Sequence, residues 1–153
     1  MEEALRASAA LTERRHTMNP GLSPLGERWI PRAPRCVASA RRFVRDIAVD
    51  WNTAEGIPEI AELLASELVT NALAYGSPDV AAAGPVRVTV GREGELLVVD
   101  VHDSCIMVPR LRRAGDLETS GRGLAIVRDL SRNWGWSLNP YGKSVWFQLE
   151  AWP

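Results

Sequence analysis

The sequence predicts an α+β fold, a two-layer sandwich in which helices cover one face of a mixed, mostly antiparallel sheet. Three observations lead there. Two amphipathic helical patterns stand together in the first half of the chain, two hairpin patterns lie beyond them, and one further helical pattern separates the hairpins. The size suits a single core, since 153 residues at 16.8 kDa match the roughly 100–150 residues of an ordinary domain.

Taken in order, residues 1–26 mix Ala, Arg, Glu, Pro, Gly and Ser without a sustained period and read as a flexible leader, which leaves 27–153 as one domain. From Arg35 the pattern tightens. Val37, Ala40, Val44, Ile47, Ala48 and Trp51 recur every three or four residues, with Arg41, Arg42, Arg45 and Asp46 between them, and Pro34 suits the first turn of that helix. A second helix is expected from Pro58 to Tyr75, stopped by Gly76-Ser77-Pro78. VRVTV at 86–90 and ELLVVDV at 95–101, separated by GREG, read as a hairpin. GLAIVRDLSRNWG reads as a third helix with Gly135 as its stop. A strand over Trp136–Asn139, the turn NPYG and the strand KSVWFQLE close the chain.

Composition removes several classes of function. Eighteen basic residues against nineteen acidic ones give a formal charge of −1, so no bulk attraction draws the chain to nucleic acid or to an anionic membrane. No apolar run reaches the roughly 18–20 residues of a membrane span. Cys36 and Cys105 form neither a disulfide framework nor a zinc-ligand set, which favours a reducing cytoplasm. The basic stretch ARRFVR reads as a solvated helix face, His102 as a strand side chain, and His16 as solvated in the leader. Trp134, Trp136 and Trp146 fall where a helix end and the last hairpin would pack together.

Three features carry chemistry. On the second helix, an arc containing Ile60, Leu63, Leu64 and Leu68 also takes in Glu67 and Asn71, one turn apart, so two polar groups stand at core-like positions. Burial without partners would cost them several kcal/mol. They either bond inside the protein or face a polar cavity. Alternation along the second hairpin strand puts Asp103 on the face of Leu97, Val99 and Val101, where its carboxylate either looks into the layer interior or simply ends the strand and caps the turn. The turn SGRGL at 120–124 opens the third helix, where Gly121 and Gly123 would let a phosphate approach backbone N–H groups or simply hinge a loop. The stretch Ser104–Ser120 is long for a connection and reads as a lid.

The order ELVTNA, then Asp103, then GRGL resembles the nucleotide site of the GHKL ATPase superfamily, with its histidine kinase-like ATPase fold. ARRFVRDIAVDW, LLASELVTNALAYG, VVDVHD followed by Pro109, GRGLAIVRDLSRNWGW and GKSVWFQL resemble successive blocks of the small bacterial anti-sigma factor serine/threonine kinases, over roughly residues 30–150. The resemblance implies ATP and Mg as cofactors. Asn71 matches the magnesium-holding asparagine, Glu67 the catalytic general base, and Asp103 the aspartate that accepts from the adenine amino group. Gly121, Arg122, Gly123 and Leu124 match the second glycine box around the phosphates. It further implies a sigma factor or an anti-sigma antagonist protein as partner, the antagonist phosphorylated on Ser or Thr, and a homodimer.

Two positions depart from that pattern: Tyr75 stands where relatives often have His, and Ser104 follows Asp103 where larger relatives have Gly. They motivate a second reading, a nucleotide-gated binding module that holds ATP without transferring phosphate. A nucleotide-free interaction domain is the third.

Overall fold

A computed structural model describes residues 21–74, 84–104 and 125–153. The elements are β1 (Leu22–Ile30), a 3-10 turn (Pro34–Cys36), α1 (Val37–Asp50), α2 (Ile57–Ala74), β2 (Val86–Glu93), β3 (Leu96–Asp103), a helical segment over 125–130, β4 (Asn133–Asn139) and β5 (Gly142–Glu150). The strands form one sheet in the order β1-β2-β3-β5-β4, and every described pairing is antiparallel. The helices pack on one face, giving the expected α+β sandwich without a parallel strand among those described.

The register sorts the side chains by face. Val86, Val88 and Val90 of β2, Leu97, Val99 and Val101 of β3, and Phe147 and Leu149 of β5 are all buried beneath the helices. Each helix meets them with a narrow apolar seam: Ala40, Val44 and Ala48 on α1, and Ala61, Leu64, Ala65, Leu68, Val69 and Ala72 on α2. The polar side of α1 is paired rather than bare. Arg45 Nη1 donates to Glu62 Oε2 at 2.7 Å and Arg41 Nη2 to Glu62 Oε1 at 3.2 Å. The hydrogen bond from Arg45 holds the Glu62 carboxyl below its usual range. Leaving α1, Asn52 takes a left-handed conformation (φ 54°), and the Thr53 hydroxyl donates to the Ala48 carbonyl at 2.8 Å, so one helix-end carbonyl keeps a partner.

Several sequence expectations shift. Strand β1 begins at Leu22, so residues 22–26 of the expected leader lie in the sheet, as an edge strand with a register shift between Pro24 and Gly26. Alternation there is interrupted by Pro24 and Gly26, which hid it. Gly91 belongs to β2 rather than to a separator. A Cβ there would meet Leu22 Cδ1 at 2.8 Å, and its absence lets β1 lie close. Gly135 is not a helix stop either: it sits inside β4 opposite Trp146, where a Cβ would meet Trp146 Cζ2 at 2.5 Å. Tertiary pairing with β5 has turned Asn133-Trp134-Gly135 into strand, because the ladder bonds and the packing of Trp134 on Phe147's face outweigh a helical pattern that ended in Asn and Gly. Trp134 packs against the core while Trp146, paired with Asp100 and Gly135, lies on the other side of the sheet, so the tryptophans do not form one cluster.

Candidate functional site

Strand alternation delivers Asp103 to the helix-facing side at the end of β3, where it is 1% exposed. A carboxylate buried that far requires a cation or several donors. It has Arg32, from the connector between β1 and the 3-10 turn: Arg32 Nη2 lies 2.5 Å from Asp103 Oδ1, and its side chain is only 5% exposed. The same guanidinium donates from Nε to the Gly84 carbonyl at 3.1 Å and from Nη1 to the Ala72 carbonyl at 3.3 Å. Ala72 lies in the last turn of α2, where carbonyls lack an intrahelical acceptor role and a cation is favoured. One planar group therefore braces the C-terminal turn of α2, the entry to β2 and the end of β3.

The brace ties Asp103 to the turn of α2 that carries Asn71, the chain neighbour of Ala72. Asn71 and Glu67 are both half-buried. Their position on α2 corrects the sequence arc. The buried seam is Ala61, Leu64, Ala65, Leu68, Val69 and Ala72, and Leu63 is 40% exposed. By the 100° rule, Asn71 lies about 90° and Glu67 about 130° from the middle of that seam. Both therefore lie outside the buried seam rather than within it. Among the described residues no ion pair or hydrogen bond engages the Glu67 carboxylate.

Two features of β5 complete the surroundings of Asp103. Lys143, its register partner, is 4% exposed. Gly142, at φ 137°, has no Cβ where one would lie 2.2 Å from the Asp103 carbonyl oxygen, so the β4–β5 turn can seat against this strand end. Gly121, Arg122, Gly123 and Leu124 lie outside the described residues, as do Tyr75, Cys105 and all but the first residue of the expected lid. His102 is a strand side chain on the far face. Its Nε2 donates to the Tyr141 carbonyl at 3.2 Å, which leaves Nδ1 to accept from the Ser144 hydroxyl at 3.0 Å. Burial, and then the charge of Arg87, push its pKa down.

The donor set fits a magnesium ion that takes most of its shell from phosphate and water. Asn71 carries an amide oxygen, a hard ligand, and the described residues contain no cluster of three or more His, Cys, Asp or Glu able to hold a metal by itself. Arg32 was not legible in the sequence. It stands in PRAPR, without period or motif, and its three partners are 40, 52 and 71 residues away.

Residues 30–149 match the family model of the histidine kinase-like ATPase domain. Among solved structures, the chain is similar to the RsbU and RsbW domains of Rv1364c from Mycobacterium tuberculosis, at 16% identity and a TM-score of 0.63 over 84% of this chain, which is a likeness of fold. It spans 32% of that chain. The histidine kinase domain of a blue-light activated histidine kinase from Erythrobacter litoralis aligns at 20% identity over 76% of this chain and 60% of its own, with a TM-score of 0.48. No curated protein matches the sequence.

Proposed function

Since the chain belongs to the histidine kinase-like ATPase family, we propose that it binds ATP with magnesium and acts as an anti-sigma factor serine/threonine kinase, phosphorylating a small antagonist protein in the cytoplasm. The observation that carries the reading is the convergence of Asp103 with the Asn71 turn of α2 through the Arg32 guanidinium. Fold and family support a nucleotide site. The ordered blocks resembling the anti-sigma kinases, and the RsbW domain named in the structural neighbour, support the narrower partner and substrate class.

In this reading Asp103 accepts a hydrogen bond from the adenine amino group. Asn71 offers its amide oxygen to magnesium, which when bound would neutralise phosphate charge during transfer. Glu67, one turn from Asn71, takes the proton of the attacking Ser or Thr hydroxyl. Gly121, Arg122, Gly123 and Leu124 enclose the phosphates. Partners are a sigma factor, an antagonist, or both, with a second copy of the chain as a further partner; neither nucleic acid nor a membrane is engaged directly.

Titration of the purified chain with ATP and magnesium tests the site. Wild type binds, and Asn71→Ala and Asp103→Asn each weaken binding by about tenfold or more; binding unaffected by both would defeat the assignment. Ser104 after Asp103 and Tyr75 favour the second reading, a binding module without phosphotransfer. Labelled ATP with a cognate antagonist separates the two. Phosphate on the antagonist, abolished by Glu67→Ala, is expected of the kinase, and ATP binding with no transfer is expected of the module.

A further inference from the structure

We propose that Arg32 is the positioning residue of base recognition: it aims the Asp103 carboxylate at the exocyclic amino group of a purine. The inference rests on the nucleotide reading above and adds a residue to it.

A guanidinium is planar, with its donors in a fixed fork. Two of the three Arg32 nitrogens are held by backbone carbonyls of different elements, Gly84 at 3.1 Å and Ala72 at 3.3 Å, so the third cannot swing independently. That third nitrogen meets Asp103 Oδ1 at 2.5 Å. The direction of the carboxylate is thereby referenced to the backbone of α2 and not only to its own strand. Both side chains are nearly sealed from water, at 5% and 1% exposure, and in such surroundings an ion pair is directional and little screened. Exposed arginines such as Arg128, which among the described residues pairs only with its neighbour Asp129, have no comparable constraint.

Calorimetric titration of the full chain, with magnesium, compares ATP with purine riboside triphosphate, which differs only in lacking the 6-amino group. Wild type should prefer ATP by about tenfold or more, the worth of a hydrogen bond to a charged acceptor. In Arg32→Met that preference should collapse towards unity, while affinity for the deaminated analogue stays within about threefold. A merely structural role would weaken both ligands alike and keep their ratio. A retained ratio would therefore overturn the proposal. So would tighter ATP binding by the variant, which would make Arg32 a competitor of the base. Should Arg32→Met fail to fold by circular dichroism, Arg32→Gln, which keeps an amide donor in the same space, is read by the same ratio. Wild type that binds both ligands equally removes the base-reading role of Asp103 and this proposal with it. Wild type that binds neither removes the nucleotide reading itself.

Discussion

The Arg32–Asp103 pair is buried at both ends, and removing one partner of such a pair leaves an uncompensated charge in low dielectric. Asp103→Ala is therefore expected to destabilise the chain by about 3–5 kcal/mol, read as a lower urea midpoint at unchanged slope. His102 gives a pH-dependent counterpart on the opposite face. Its folded-state pKa is depressed by burial and by Arg87, against smaller opposing effects of Asp100, the Tyr141 carbonyl and Asp103. The unfolded state thus binds the proton more readily, so this contribution to stability is complete above about pH 6.5 and is lost as the pH falls below it. Urea unfolding at pH 7.5 and 5.5 should show a larger acid loss for wild type than for His102→Gln. At this scale Asp103 was legible, because a strand's period of two assigns each side chain a face. Arg32 was not, because its role depends on carbonyls that no local pattern places.

For α2 the decisive quantity is rotation about its own axis. The sequence arc centred on Ile60, Leu63, Leu64 and Leu68 differs from the observed seam by enough to move Leu63 into solvent and Ala61, Ala65 and Ala72 into the core. The helix is apolar on most sides, and its four alanines leave the leucines to dominate any count by eye. Which apolar stripe faces inward was settled by the sheet. Leu68→Ala should accordingly cost about 2–5 kcal/mol, and Leu63→Ala should stay within about 0.5 kcal/mol; equal losses in thermal or urea unfolding would contradict this orientation. The closing hairpin offers a sharper test. Gly142→Ala adds a Cβ 2.2 Å from the Asp103 carbonyl at a backbone angle that side chains rarely adopt, and a loss of about 2–4 kcal/mol is expected. The same variant shifts the end of β3, so nucleotide affinity should fall with stability.

Across the whole molecule, one face of a five-stranded antiparallel sheet is covered by α1 and α2, and the proposed site lies at one end of that contact. There the last turn of α2 and the end of β3 are joined by Arg32. A ligand that bridges α2 and β3 stabilises the folded chain by mass action. ATP and magnesium at one hundred times the dissociation constant should add about 2.7 kcal/mol, a rise in melting temperature of about 5–10 °C. Chelation of the magnesium should remove most of that rise. An unchanged melting temperature under saturating ATP would support the nucleotide-free interaction domain instead.

Local periodicity was enough to determine the fold class, the two long helices, both hairpins and the face of β3 that carries Asp103, because hydrophobic repeats of 3.6 and 2 residues and turn-forming Gly and Pro act over a few residues. What the tertiary structure alone decided were the edge strand β1, the conversion of Asn133-Trp134-Gly135 to strand, the rotation of α2 and the Arg32 brace. Each of these is fixed by partners tens of residues distant, through ladder hydrogen bonds, the shape of the facing sheet and the electrostatic demand of one buried carboxylate, and such partners leave no period in the chain that carries them.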